Sequence, residues 1–80
     1  MLIHLLFFGI SADLVEASKL EVSLDPNTAI RDLKERLRND FPTLENLQDY
    51  AIAINEEYAD DRDILYDGDI VAVIPPVSGG

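Results

Sequence analysis

The chain has 80 residues, 48% of them apolar, and sixteen Asp/Glu against six Lys/Arg give it a net charge of −10. That length makes one domain with one modest core, and that charge excludes a nucleic-acid partner, because phosphate binding needs the opposite sign. Cysteine is absent, which removes disulfides, thiolate metal sites and a cysteine nucleophile together and fits a reducing cytoplasm.

Leu2 to Phe8 opens the chain as a strand by length and aromatic content, with Ile3, Leu5 and Phe7 toward one side and Leu2, His4, Leu6 and Phe8 toward the other. Met1–His4 has neither the basic segment nor the cleavage site of a secretory leader, and no apolar run approaches the ~18 residues of a membrane span, so a cytoplasmic chain without membrane contact is expected. His4 is the only histidine and has no nucleophile or ligand companions nearby in sequence, so it reads as structural. Gly9 to Lys19 reads as a turn region with a short apolar element at Leu14 and Val15. Leu20–Leu24 alternates as a half-exposed strand, most simply paired with the first in a hairpin.

Asp25-Pro26-Asn27-Thr28 leads into a helix with Thr28 as its cap, running to about Asp40 and ended by Pro42. Ile30, Leu33 and Leu37 recur at the helical spacing, and Asp32 stands one turn before Arg36, in reach of an i,i+4 ion pair. Thr43 to Asp49 reads as a loop with room for one helical turn, and Tyr50–Ile54 as a third strand. Asn55-Glu56-Glu57 reads as a turn, and Tyr58-Ala59 as the start of a short return strand. The acidic stretch from Glu56 to Asp69 fails the calcium-loop pattern, since Asp61-x-Asp63 is followed by Leu65 and no glycine stands at the sixth position; it reads as a solvated surface. Asp67-Gly68 is a tight-turn dipeptide.

Ile70–Ile74 reads as a buried strand, which Pro75 and Pro76 stop because neither can donate a ladder hydrogen bond. Val77-Ser78-Gly79-Gly80 carries no further helix or strand signal, and an extended 75–80 segment reaches roughly 20 Å. Gly79 and Gly80, without Cβ atoms, fit a channel too narrow for other residues, which suits chemistry on an α-carboxyl group held clear of the body. Nucleophile–base pairs, phosphate loops and metal spacings are missing from the sequence, so a free-standing enzyme is not expected.

Strand, strand, helix, strand, short strand, strand, with the first and last strands parallel at the centre of the sheet, resembles the β-grasp, or ubiquitin-like, fold. The expected architecture is α+β: a mixed sheet of four to five strands with one main helix on one face, a domain over 1–74 and an extended tail over 75–80. Leu5-Leu6-Phe7-Phe8-Gly9, Ala53-Ile54-Asn55 and the run from Leu65 to Gly80 resemble the small, sulfur-carrying subunits of molybdopterin synthase across essentially the whole chain. The closing Asp-Gly-Asp and Pro-Pro-Val-Ser-Gly-Gly are the most specific part. The chain departs from that pattern at Ser11–Leu14, where members often carry Arg-Glu, and at Ile70, where members often carry a charge.

The resemblance implies a function. An ATP-dependent adenylyltransferase of the ubiquitin-activating type would adenylate Gly80, and sulfur transfer would leave a thiocarboxylate there. The tail, with Gly79, would enter the large subunit of molybdopterin synthase and give sulfur to cyclic pyranopterin monophosphate, within a heterotetramer. Phe8, Tyr58 and Ile74 match positions of an exposed apolar patch shown to both partners, joined by Pro75, Pro76, Val77 and Ser78 of the tail. The chain would bind no cofactor of its own, the ATP being the activating partner's, and would act as a non-catalytic sulfur-donating subunit. Carriers for thiamine or tRNA thiolation remain alternatives, the Pro-Pro-Val-Ser-Gly-Gly ending arguing against the thiamine carrier, as does a ubiquitin-like modifier of target lysines.

Overall fold

The computed structural model describes residues 1–47 and 49–76, and in them the alternation of the first strand becomes the centre of the fold. Strand β1 (Leu2–Phe7) is followed by a short helix α1 (Ile10–Val15), strand β2 (Lys19–Ser23), helix α2 (Ile30–Asp40), a 3₁₀ turn over Pro42–Asn46, and strands β3 (Ala51–Ile54), β4 (Glu57–Tyr58) and β5 (Ile70–Ile74). The sheet order is β2-β1-β5-β3-β4. β1 lies antiparallel to β2 and parallel to β5, with Leu5 opposite Val71 and Phe7 opposite Val73, while β3 runs antiparallel to both β5 and β4. One principal helix on one face of this mixed sheet is the β-grasp arrangement.

One side of the sheet is sealed. Ile3, Leu5, Phe7, Ile52, Val71 and Val73 face inward and pack with Ile30, Leu33 and Leu37 of α2, so the helical and strand periodicities meet in a single apolar layer. Leu65, Val15 and Leu44 close its margins. Phe7 meets the ring of Phe41 edge-on, with centroids 6.1 Å apart at 73°. The outward-facing residues of the same strands are uncovered, so β5 is buried on one side only: Val71 and Val73 are enclosed, whereas Ile70 is exposed. An all-apolar run normally marks a strand covered on both faces; here the second cover is missing.

Four local expectations are corrected. The region after β1 forms helix α1, because Gly9 turns the chain at φ 55° and ψ −137° and the hydroxyl of Ser11 donates to the carbonyl of Phe8 at 2.5 Å, which holds the first turn in place while Val15 anchors the last. Ala29, not Thr28, sits at the start of α2: the Thr28 hydroxyl donates to the carbonyl of Asp25 at 2.6 Å, and the Asp32 carboxylate accepts from the N–H of Ala29 at 3.2 Å. With Asp32 so engaged, Arg36 pairs with Asp40 at 2.8 Å instead. The acidic segment before β5 also does more than meet solvent. The N–H groups of Ile30 and Arg31 donate to the carbonyls of Asp63 and Asp61 at 2.9 and 3.0 Å, so its backbone serves the open donors of the helix start.

The Asp67-Gly68 turn is latched to the front of β1. Gly68 has φ 86°, a conformation that glycine enters without strain, and its N–H donates to the carbonyl of Leu2 at 2.8 Å. The Leu2 N–H in turn donates to the Asp67 carboxylate at 2.7 Å. None of the described helices is long and apolar enough to cross a membrane.

Two substitutions one residue apart on α2 test this layer. Leu37→Ala, at a site enclosed by the sheet, should lower the unfolding free energy by about 2–5 kcal/mol, whereas Arg36→Ala on the solvent side should lower it by less than about 1 kcal/mol, both read by denaturant titration.

Candidate functional site

The uncovered side of the sheet carries the candidate site. Because side chains alternate along a strand, Leu6 and Phe8 on the β1 side and Ile70, Ala72 and Ile74 on β5 all leave the sheet on its open face. Tyr58 of β4 stands opposite Ala53 and joins them across the sheet. Together they line a groove of about 560 Å³ with Asn55 and Glu56 at its wall. Phe8 is 50% exposed, Tyr58 77% and Ile70 46%, so several large apolar side chains contact water in one contiguous area. Such an area is the mark of a surface that docks something.

The groove is built by hydrogen bonds that leave its apolar atoms free. The Phe8 N–H donates to the carbonyl of Val73 at 3.2 Å, which prolongs the β1–β5 pairing past the end of β1. On the other side the Asn55 side chain accepts from the N–H of Ile70 and donates to Asp69, both at 3.0 Å, and so ties the β3–β4 turn to the start of β5. The groove's position on the sheet is thus fixed by backbone pairing on one side and by the Asn55 side chain on the other.

Strand β5 ends at Ile74, and Pro75 follows half-buried against the turn after β1. A Cβ built on Gly9 would lie 3.2 Å from Cγ of Pro75, so the backbone at Gly9 gives the proline its room. On the opposite flank Tyr50, Ala51, Tyr58 and Asp49 form a hollow of about 290 Å³ with Ile74, Pro75 and Pro76. Burial pushes the Tyr50 phenol above the usual tyrosine value, although the nearby Lys34 and Arg38 cations pull the other way. The Lys34 ammonium lies 5.9 Å from that ring.

Of the residues singled out in the sequence, Phe8, Tyr58 and Ile74 are brought to one face, and Pro75 and Pro76 are brought to its edge. Val77, Ser78, Gly79 and Gly80 lie outside the described residues. Among the lining residues not singled out as site candidates, three lie on β1 and β5: Leu6, Ile70 and Ala72. Their signal was the strand alternation itself, since each lies an even number of residues from Phe8 or Ile74. Gly9 and Tyr50 at the foot of the tail were also missed, because their roles depend on a contact between segments far apart in the chain. The lining offers apolar surface, the Glu56 carboxylate, the Asn55 amide and the Tyr58 phenol, which suits recognition of another surface.

Residues 5–80 match the ThiS family. A molybdopterin synthase sulfur carrier subunit from Drosophila yakuba is 35% identical over 81 residues, covering 98% of this chain and 90% of that protein. Among solved structures, a putative molybdopterin converting factor subunit 1 from Pyrococcus furiosus superposes with a TM-score of 0.88 at 26% identity, covering 96% of this chain and 99% of that one. A chain from a complex of subunits 1 and 2 of the molybdopterin-converting factor of Helicobacter pylori superposes with a TM-score of 0.73 at 27% identity over 100% of both chains.

Two outcomes check the foot of the tail. Gly9→Ala meets a positive φ and the Pro75 ring together, and should destabilise the domain by about 1–3 kcal/mol in denaturant titration. For Tyr50, a folded-state pKa above the unfolded one contributes stability that is present below the unfolded pKa of about 10 and is lost as pH climbs through the folded value. Melting temperatures above about pH 10 should therefore fall more steeply for the wild type than for Tyr50→Phe.

Proposed function

The chain belongs to the ThiS family, and from that membership we propose that it is the sulfur-carrier subunit of a molybdopterin synthase. The working group is the α-carboxyl of Gly80. A carboxylate is a poor electrophile. An ATP-dependent activating enzyme of the ubiquitin-activating type converts it to an acyl-adenylate, whose AMP is a good leaving group, and sulfur replaces that AMP to give a thiocarboxylate. The thiocarboxylate is a soft nucleophile and needs no side chain of the carrier to activate it. The tail, including Gly79, enters the large subunit, and its sulfur passes to cyclic pyranopterin monophosphate to build the dithiolene that holds molybdenum. Positioning and charge stabilisation are supplied by the partner.

The observation that carries this reading is the continuity of the open apolar face with the start of the tail. Phe8, Tyr58 and Ile74 line the groove, and Tyr58 and Ile74 also border the hollow at Pro75 and Pro76, so a partner seated on the groove sits at the start of the tail. Both partners must reach the same terminal group, and one face serves them in turn. A Helicobacter pylori relative of the fold forms a complex between subunits 1 and 2 of its converting factor, which supports a large-subunit partner here. The chain binds no cofactor in this scheme, and the ATP belongs to the activating enzyme.

Three readouts test the proposal. Incubation with the activating enzyme, ATP and a sulfur donor should raise the intact mass of the chain by the difference between sulfur and oxygen, and deletion of Gly80 should abolish that change. Gly79→Val should stop sulfur transfer without moving the melting temperature. Phe8→Asp should abolish binding to the large subunit while lowering stability by only about 1–2 kcal/mol, so that the domain stays folded, since half of the ring is in water already. A folded Phe8→Asp chain that binds normally would remove the groove from the proposal.

A further inference from the structure

Glu56 is the single carboxylate in the lining of the groove. It is exposed and has no cation within ion-pair distance among the described residues. Its backbone sits at φ 73°, in second place of the two-residue loop joining β3 to β4, after Asn55 at φ 49°. Positive φ at both places is the pattern of a type I′ hairpin, which favours Asn followed by Gly, because glycine enters that region without strain. A long anionic side chain stands there instead. The fold thus tolerates a backbone penalty at the wall of its docking face.

Four of the six positive charges lie on the other layer; of the remaining two, Lys19 stands opposite Leu6 on β2 and Arg62 shares a hollow with Asn55 and Tyr58, and neither forms an ion pair with Glu56. Arg31, Lys34, Arg36 and Arg38 belong to α2, whose buried stripe packs against the closed side of the sheet, and Lys34 and Arg36 are already paired with Asp61 and Asp40. An apolar floor with an unpaired carboxylate at its edge, on a chain of net charge −10, is complementary to a surface with an apolar centre and a basic rim.

Resting on the sulfur-carrier reading, we propose that Glu56 is a partner-recognition residue and that the occupant of the groove is a basic-rimmed protein surface, the large subunit of the synthase, which presents a Lys or Arg to the Glu56 carboxylate. A second copy of this chain is the wrong occupant, because apposing two such faces sets like charge against like.

The test is stopped-flow association with the purified large subunit from the same source, for the wild type, Glu56→Gly, Glu56→Lys, Phe8→Asp and Glu35→Lys. Glu35, exposed on α2, receives the same change of charge on the opposite layer. Glu56→Gly should raise the denaturation midpoint and weaken binding several-fold, and Glu56→Lys should slow association by about tenfold at low salt, with Glu35→Lys far less affected. The wild-type rate should fall between about 0.01 M and about 1 M salt, over which the Debye length shrinks from about 30 Å to about 3 Å, and Glu56→Lys should flatten that dependence. Wild-type binding lost in Phe8→Asp but unchanged in both Glu56 variants would overturn the Glu56 assignment and leave the sulfur-carrier reading standing. So would a Glu56→Gly chain less stable than the wild type, since Glu56 would then serve the fold. A free chain that sediments as a dimer, and as a monomer once Phe8→Asp is introduced, would give the groove to a second copy and overturn the proposed occupant. Failure of the wild type to bind the large subunit at all would sink both.

Discussion

The parallel pairing of β1 with β5 is the contact on which the rest of the molecule depends. It joins the start of the chain to its final strand at the centre of the sheet, with Leu5 beside Val71 and Phe7 beside Val73. Parallel strands need a crossover rather than a tight turn, and everything between them, both helices included, is that crossover. One consequence is geometric. Phe8 and Ile74 end up side by side because their strands run in the same direction, so the apolar face and the origin of the tail coincide without any loop to bring them together. A β5 that did not neighbour β1 would separate the two.

The second consequence is sidedness. A five-stranded sheet with one principal helix has cover for one face only. Among the described residues no element covers the other face, so the outward residues of β1 and β5 either are polar or form an open apolar surface. His4 and Glu21, 3.4 Å apart on β1 and β2, represent the first solution. Leu6, Phe8, Ile70 and Ile74 represent the second. Their buried parts add some stability, but their exposed apolar area adds none and invites aggregation. A strongly acidic composition offsets that hazard in the free chain by keeping like molecules apart, and the same charge favours a basic partner.

Most of the fold was legible because its elements rest on periodicity. The two-residue alternation of β1, the helical spacing of Ile30, Leu33 and Leu37, and the Asp67-Gly68 turn each follow from local rules, and the structure contains them. The parts that sequence missed depend on contacts across the chain. Helix α1 spans six residues, too few for a periodic signal, and it forms because Ser11 holds the Phe8 carbonyl and Val15 reaches the core. Thr28 looks like a cap until the carbonyls of Asp61 and Asp63 are seen to take the helix-start donors. The groove was half legible: Phe8, Tyr58 and Ile74 came from the family resemblance, whereas Ile70 was hidden inside a run that read as fully buried. Alternation says which residues share a face but not whether that face is covered, and cover is decided by the count of layers.

The foot of the tail shows what a folded body can add to an arm that leaves it. Holding one backbone residue in a single conformation costs about 1–2 kcal/mol, so a partner that must order a free arm loses affinity with each residue it fixes. Two prolines reduce that loss at the point where the arm begins, because their φ angles are set before binding. Pro75 is restrained further by the backbone at Gly9 on one side and the Tyr50 hollow on the other. Glycine at position 9 suits this approach, since a Cβ there would lie 3.2 Å from Cγ of Pro75 and the proline would have to shift. What the folded body supplies is thus the position at which its last strand ends. That position is set by residues at opposite ends of the sequence which meet only because β1 and β5 are neighbours.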